Sequence, residues 1–459
     1  MSATDSPLTT VVDGCAVATV DPQRREFRSG YVVVRGGRIL DVGEGRAPRH
    51  DGAEVVDGRG CLLTPGFVNT HHHLYQWVTR GLAADDTLFA WLTTLYPVWA
   101  GIDADIVNVA ARAALGRLAL TGCTTASDHH YVFPRDAGDL LEAEIEAART
   151  VGLRFHPSRG SMDLGRSDGG LPPDEVVESL DAALAATADA VDRWHDPSPG
   201  SMLRIAVAPC SPFTVTADLM REAAALARDK GVRLHTHLAE TTDEDAFCRE
   251  RFGCSPLEYA EKLGWLGGDV WYAHGIHFDA DGIERIGATG TGVAHCPSSN
   301  ARLGAGIARV ADLRAAGAPV GLGVDGAASN ESGSLWEEAR HALLFARAVG
   351  GPQALTVRDA LEMATLGGAT VLGRADEIGS VEPGKLADLA LWRLDALGHA
   401  GIDDPVAALV LGDRPPLELL LVDGRRVVER DRLTTVDESS LAARVAVAQQ
   451  SLLRKAGRP

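Results

Sequence analysis

Positive charge is in short supply. Across 459 residues, 44 Lys and Arg stand against 63 Asp and Glu, a formal net charge of −19. That balance argues against a nucleic-acid partner or an anionic membrane surface, whose electrostatic footprint is basic. Cysteine pairing is missing as well. The seven cysteines are dispersed with no CxxC pair, which fits reduced thiols better than a disulfide framework. No apolar run approaches the ~18 residues of a membrane span. The opening MSATDSPLTTVVDG has neither the basic nor the apolar segment of a secretory leader. These absences lead us to expect a cytoplasmic protein that handles a small molecule, with no nucleic acid, no membrane and no motif that fixes a homo-oligomer.

What is present is an alternation. Short apolar runs occur at 61–73, 124–130, 154–160, 203–210, 233–240, 270–275, 291–297 and 320–326, separated by helical patterns such as 104–120, 139–152, 217–231 and 310–318. The last three patterns close on Gly or Gly-Ala, as helix C-termini commonly do. Strands alternating with helices predict an α/β fold, either a closed parallel (β/α)8 barrel or an open doubly wound sheet. The polar residues favour the barrel. His71–His73, His129, His130, Cys210, Glu240, His274, His295 and Asp325 all sit at the C-terminal ends of their runs, where a barrel gathers them at one mouth. The flanks read as short strands with Gly-rich turns. The expected organisation is a small β-sandwich from both termini (1–64 with 376–435), a barrel over 65–375 and a helical tail over 436–459.

The stretch NTHHHLYQ (69–76) focuses the chemistry. Alternate residues of a strand share a face, so His71 and His73 point together and His72 away. An HxH at a strand end supplies two ligands for zinc or iron. The same alternation in HTHLAE pairs His235 with His237; His237, nearer the mouth, is the better third ligand, and His235 reads as structural. Asp325 completes three histidines and one carboxylate, leaving a position for water, whose pKa a metal lowers towards neutrality. Glu240, three residues beyond His237, is placed for general acid–base work. His274 can bond the activated water or polarise the substrate, so Glu240, His274 and Asp325 form the predicted catalytic set. His295 divides evenly between a supporting and a structural role. RIAVAPC (204–210) lacks the strand-end lysine with which binuclear hydrolases of this architecture bridge two metals. The expectation is one divalent metal per chain, zinc with iron as the alternative. A single metal beside a glutamate suits hydrolytic removal of an amino group from an aromatic ring.

PGFVNTHHHLYQ, GCTTASDHHYVFP, RFHPSRGSMDLG, HTHLAET, YAHGIH, AHCPSSNARLG, GVDGAASNESG and PGKLADLALW together span nearly the whole chain. In this set the chain resembles the amidohydrolase superfamily in its mononuclear deaminase branch. Within it, HHHLYQ and RGSMDLGRSDGGLPPD look most like the enzymes that deaminate 8-oxoguanine, and more distantly like s-triazine and hydroxyatrazine hydrolases. The resemblance implies ligands at His71, His73, His237 and Asp325, with Glu240 and His274 handling protons. The chlorotriazine hydrolases depart at the last strand, where they lack the Asp this chain keeps; that favours deamination. The implied activity is conversion of 8-oxoguanine to urate and ammonia in purine catabolism. Isocytosine, guanine and amino-s-triazines remain alternative substrates, and a non-catalytic scaffold is the remote one. For the ring, Gln76 can pair with a carbonyl and ring N–H, Cys210 can meet the 8-oxo edge, and Tyr75, Trp91, Tyr131 and Phe213 can form walls. Arg159, Ser161, Asn300 and Asn330 are weaker candidates, as fit for ordering loops as for touching substrate.

Overall fold

The computed structural model describes residues 8–458. The outermost residues of the expected terminal units, 1–7 and 459, lie outside the described residues. Eight parallel strands close into a barrel in sequence order: β1 (Phe67–Asn69), β2 (Cys123–His130), β3 (Arg154–Ser161), β4 (Ala206–Pro209), β5 (Leu234–Leu238), β6 (Val270–His274), β7 (Gly292–His295) and β8 (Val320–Leu322), with β8 pairing back on β1. Every residue of these strands is buried. This is the pattern of parallel strands covered by barrel interior on one face and helices on the other.

The helices begin and end where local chemistry dictates. The side chains of Asp103, Asp139 and Thr216 accept the orphan N–H groups of Ile106, Glu142 and Leu219 at three helix starts. Gly152 and Gly231 stop two of these helices in the left-handed conformation, open to a residue without Cβ. The last long helix, Glu438–Lys455, packs back on Ala104–Ala119.

Two of the apolar runs are broken in the structure. Residues 61–73 divide into Cys61–Pro65, which belongs to another sheet, then β1, then His72–His73. The break falls at Gly66, where a Cβ would lie 2.2 Å from the Thr124 side chain. Residues 320–326 likewise divide into β8 and Asp325–Gly326. The two detached pieces find each other above the barrel, with Asp325 opposite His72 and Gly326 opposite His73.

Both chain ends build a single nine-stranded mixed sheet in which Cys61–Pro65 pairs with Leu389–Arg393. It curls until Ile39, in the edge strand Arg38–Glu44, donates its N–H to Lys385 O at 2.9 Å. The curled sheet encloses its own apolar core, which includes Val12, Val32, Val34, Leu63, Leu391 and Leu421. Arg154 at the start of β3 joins barrel to sheet through a two-point bond to Asp388, 2.9 and 3.2 Å, with both side chains buried.

Candidate active site

The detached pieces carry the site. At the mouth of the barrel, His71, His73 and His237 bring one ring nitrogen each to a common point, and His71, His274 and Asp325 form an overlapping cluster. Their mutual orientation is fixed from behind. His73 Nδ1–H donates to His129 O at 2.7 Å, and His237 Nδ1–H donates to Cys210 O at 2.7 Å. Each then turns an Nε2 lone pair inward, and the two nitrogens face each other at 3.1 Å. Asp325 Oδ1 stands 3.3 Å from both His71 Nε2 and His73 Nε2. His71 Nε2 is buried and has no hydrogen-bond partner. Converging lone pairs repel one another unless a cation lies among them. Separations of 3.1–3.3 Å match the edges of a coordination shell with bonds of about 2.0–2.1 Å. The donor set fits a divalent metal.

The electrostatics agree with that fit. Burial pushes His73 down to about 4 and His237 to about 3, and takes His71 well below the usual histidine range, so all three keep their lone pairs. Burial opposes ionisation of Asp325, but the neighbouring His71, His274 and His73 outweigh it and hold its carboxyl well below the usual range. Asp325 Oδ2 also accepts from Ser299 Oγ at 2.5 Å. His72 turns away: its Nδ1 accepts the His73 N–H at 2.7 Å, and it belongs to none of the clusters. His72 is thus set apart from His71 and His73, although the barrel strand itself ends at Asn69.

Glu240 Oε2 lies 3.6 Å from His274 Nε2. Burial pushes Glu240 up to about 7, with His274 opposing and Asp325 adding. Burial works against protonating His274, yet Glu240 and Asp325 raise its pKa. Ala239, His274 and Asp325 all adopt left-handed backbone, φ 55°, 73° and 61°. Such conformations cost free energy in residues with a side chain and collect where a site must be held in shape. One part of that support is Glu244, absent from the sequence reading. Its carboxylate accepts the N–H groups of Ala239 (3.0 Å) and Glu240 (2.9 Å). Its signal was available: Thr241-Thr242-Asp243-Glu244 is a T-x-x-E pattern at a helix start. Ser299 was also missed, and Asn300 proves to be the residue whose Oδ1 accepts from His274 Nδ1–H at 2.9 Å.

These groups open into a narrow pocket whose lining includes Gln76, Trp91, Tyr131, Cys210, Phe213 and Glu240. Gln76 is fully buried, and neither its amide nitrogen nor its oxygen has a hydrogen-bond partner. Tyr75 is not among the lining residues; it packs edge-on against Trp99, 5.4 Å between ring centroids, and against His130 at 5.0 Å. The sharp turn after His73 carries it behind the wall. Arg159 is tied to Glu178 at 2.7 and 2.8 Å, and Asn330 donates to Val324 O and Glu338, so these two hold loops. Ser161 and His295 are buried away from the lining.

The sequence pattern of the amidohydrolase family matches residues 62–427. An 8-oxoguanine deaminase of Pseudomonas aeruginosa is 45% identical over 93% of this chain and 95% of its own. A hydroxydechloroatrazine ethylaminohydrolase of Pseudomonas sp. strain ADP is 38% identical over 90% of this chain and 89% of its own. Among solved structures, the zinc complex of an atrazine chlorohydrolase from Arthrobacter aurescens TC1 superposes with a TM-score of 0.92 at 34% identity, covering 96% of this chain and all (100%) of that one.

Proposed function

The chain belongs to the amidohydrolase family, and from that premise we propose that it is a zinc-dependent hydrolytic deaminase converting 8-oxoguanine and water to urate and ammonia. In this reading His71, His73, His237 and Asp325 hold one divalent ion, which when bound acidifies water and polarises the ring carbon that bears the amine. Residues 65–375 are the catalytic unit, and the terminal strands support it.

The chain's own residues do the rest. Glu240 takes a proton from the attacking water and gives it to the exocyclic nitrogen, so that the C–N bond breaks with ammonia as the leaving group and a C–O bond takes its place. A carboxylate poised near 7 by burial is suited to both transfers. His274, fixed by Asn300, bonds the oxygen that adds to the ring. Gln76 offers a donor and an acceptor side by side, the complement of a ring –C(=O)–N(H)– edge. Trp91, Tyr131 and Phe213 enclose the faces, and Cys210 approaches the far edge. The observation that carries the reading is the Gln76 amide, buried without a partner in the same cavity as Glu240. A buried amide costs free energy unless something completes its hydrogen bonds.

The direct test is ammonia release from 8-oxoguanine by the zinc-loaded protein, run beside guanine, isocytosine and ammeline. No turnover of 8-oxoguanine with rapid turnover of the triazine would overturn the proposal in favour of a triazine aminohydrolase. That second reading draws on the 38% identical relative and on the N–C–NH2 edge all four rings share.

A further inference from the structure

Three ring nitrogens face the metal position, and each needs its opposite nitrogen held. For His73 and His237 the holder is a main-chain carbonyl, which no substitution removes. His71 is different: its Nδ1 lies 2.8 Å from the Nε2 of another histidine, His235. His235 in turn places its Nδ1 3.0 Å from Trp271 O. A carbonyl only accepts, so the proton of His235 sits on Nδ1, and its Nε2 is left with a lone pair. That lone pair accepts from His71 Nδ1–H, and the Nε2 of His71 is left bare towards Asp325. The tautomer of His71 is thus dictated two residues away, by the Trp271 carbonyl.

From this chain of donors we propose that His235 is a positioning residue for the metal: it fixes the proton of His71 on Nδ1 and so makes His71 Nε2 a ligand. The inference rests on the reading of His71 as a ligand. His71, His129 and His235 also form a cluster of their own that could suggest a second metal. The spacing decides against it. At 2.8 Å His71 and His235 are a hydrogen bond apart, closer than the ~3.3 Å between two nitrogens bound tetrahedrally to one zinc. His235 is fully buried and stacks on the Trp271 indole, ring centroids 4.4 Å apart and 13° from parallel. A packing role alone would be served by any flat or apolar side chain of similar size. The hydrogen-bond role requires an acceptor at the position of Nε2.

Those two roles are separable in the zinc-loaded protein by transfer of zinc to a competing chelator. His235→Leu keeps volume and removes the acceptor; His235→Gln restores an acceptor oxygen. The Leu variant is expected to lose zinc affinity about tenfold to a hundredfold, the usual effect of removing a ligand's hydrogen-bond partner, with the Gln variant within a few-fold of the parent. Equal loss in both, or no loss in either, overturns the proposal. Should the Leu variant fail to fold, two-bond 1H–15N correlations of the parent protein decide: the Nδ1-protonated tautomer of His235 is expected, and the Nε2-protonated one overturns it. His71→Asn separates the premise from the inference. If that variant retains zinc at parental affinity, the ligand assignment itself has failed, whatever the His235 variants do.

Discussion

Glu240 is where a single atom's protonation matters most. Replacing it by Gln keeps shape and removes the proton carrier, so Glu240→Gln is expected to retain zinc in elemental analysis and lose about 10²–10⁴ in kcat. Glu240 must be ionised to accept the proton of water, so kcat/KM rises with pH through its titration. Burial sets that near 7, and a bound cation can only favour the ionised form. The acidic limb of the profile should therefore have its midpoint at or below about 7 and vanish in the Gln variant. Gly326 gives a second residue-scale test. A Cβ there would lie 1.8 Å from Gln76 Oε1, so Gly326→Ala must push that amide aside. The expected outcome is a raised KM for the ring substrate with zinc content unchanged. Much of this site was legible in the sequence, because strand alternation alone separates His71 and His73 from His72 and sets His237 above His235. What alternation cannot supply is a partner from another element. The bonds from Ser299 to Asp325, Asn300 to His274 and His71 to His235 join residues 26, 26 and 164 positions apart. Only the closed barrel brings them together.

Among the elements, the helix Thr242–Phe252 has a task beyond packing: through Glu244 it supports the left-handed turn that presents Glu240. Glu244→Ala leaves two buried N–H groups unpaired, at about 1–3 kcal/mol each. It should lower the thermal midpoint and kcat together while sparing zinc binding, a combination read from melting curves, steady-state rates and metal content. The eight runs of the sequence correspond to the eight barrel strands, since fully buried parallel strands declare themselves as apolar runs between helical patterns. The ends of those runs were less legible. Residues 61–73 read as one run yet serve three sheets, and the first division depends on how closely Gly66 approaches Thr124, a contact between segments that no local pattern encodes. Tyr75, expected as a wall of the ring pocket, sits behind the lining because the chain winds into a tight helical turn over Leu74–Thr79.

On the scale of the whole molecule, barrel and terminal sheet are joined by the buried pair of Arg154 and Asp388, whose carboxylate also accepts the Asp423 N–H at 2.8 Å. Arg154→Leu would strand that carboxylate away from water. Removing one partner of a buried ion pair costs about 3–5 kcal/mol, and denaturant unfolding should show a loss of that order, with little change in KM because neither residue lines the pocket. Among the described residues no helix is long and apolar enough to cross a membrane. The sheet that Arg154 grips has a history as well as a geometry. Cys61–Pro65 leaves the ribosome long before its neighbour Leu389–Arg393 exists. At roughly 5–20 residues per second the wait is on the order of tens of seconds. During that interval an apolar edge strand stands open while the barrel assembles downstream of it, and every nascent copy on a crowded polysome offers the same edge. This exposure to mispairing therefore precedes the chain's first catalytic turnover, and slower translation would lengthen it.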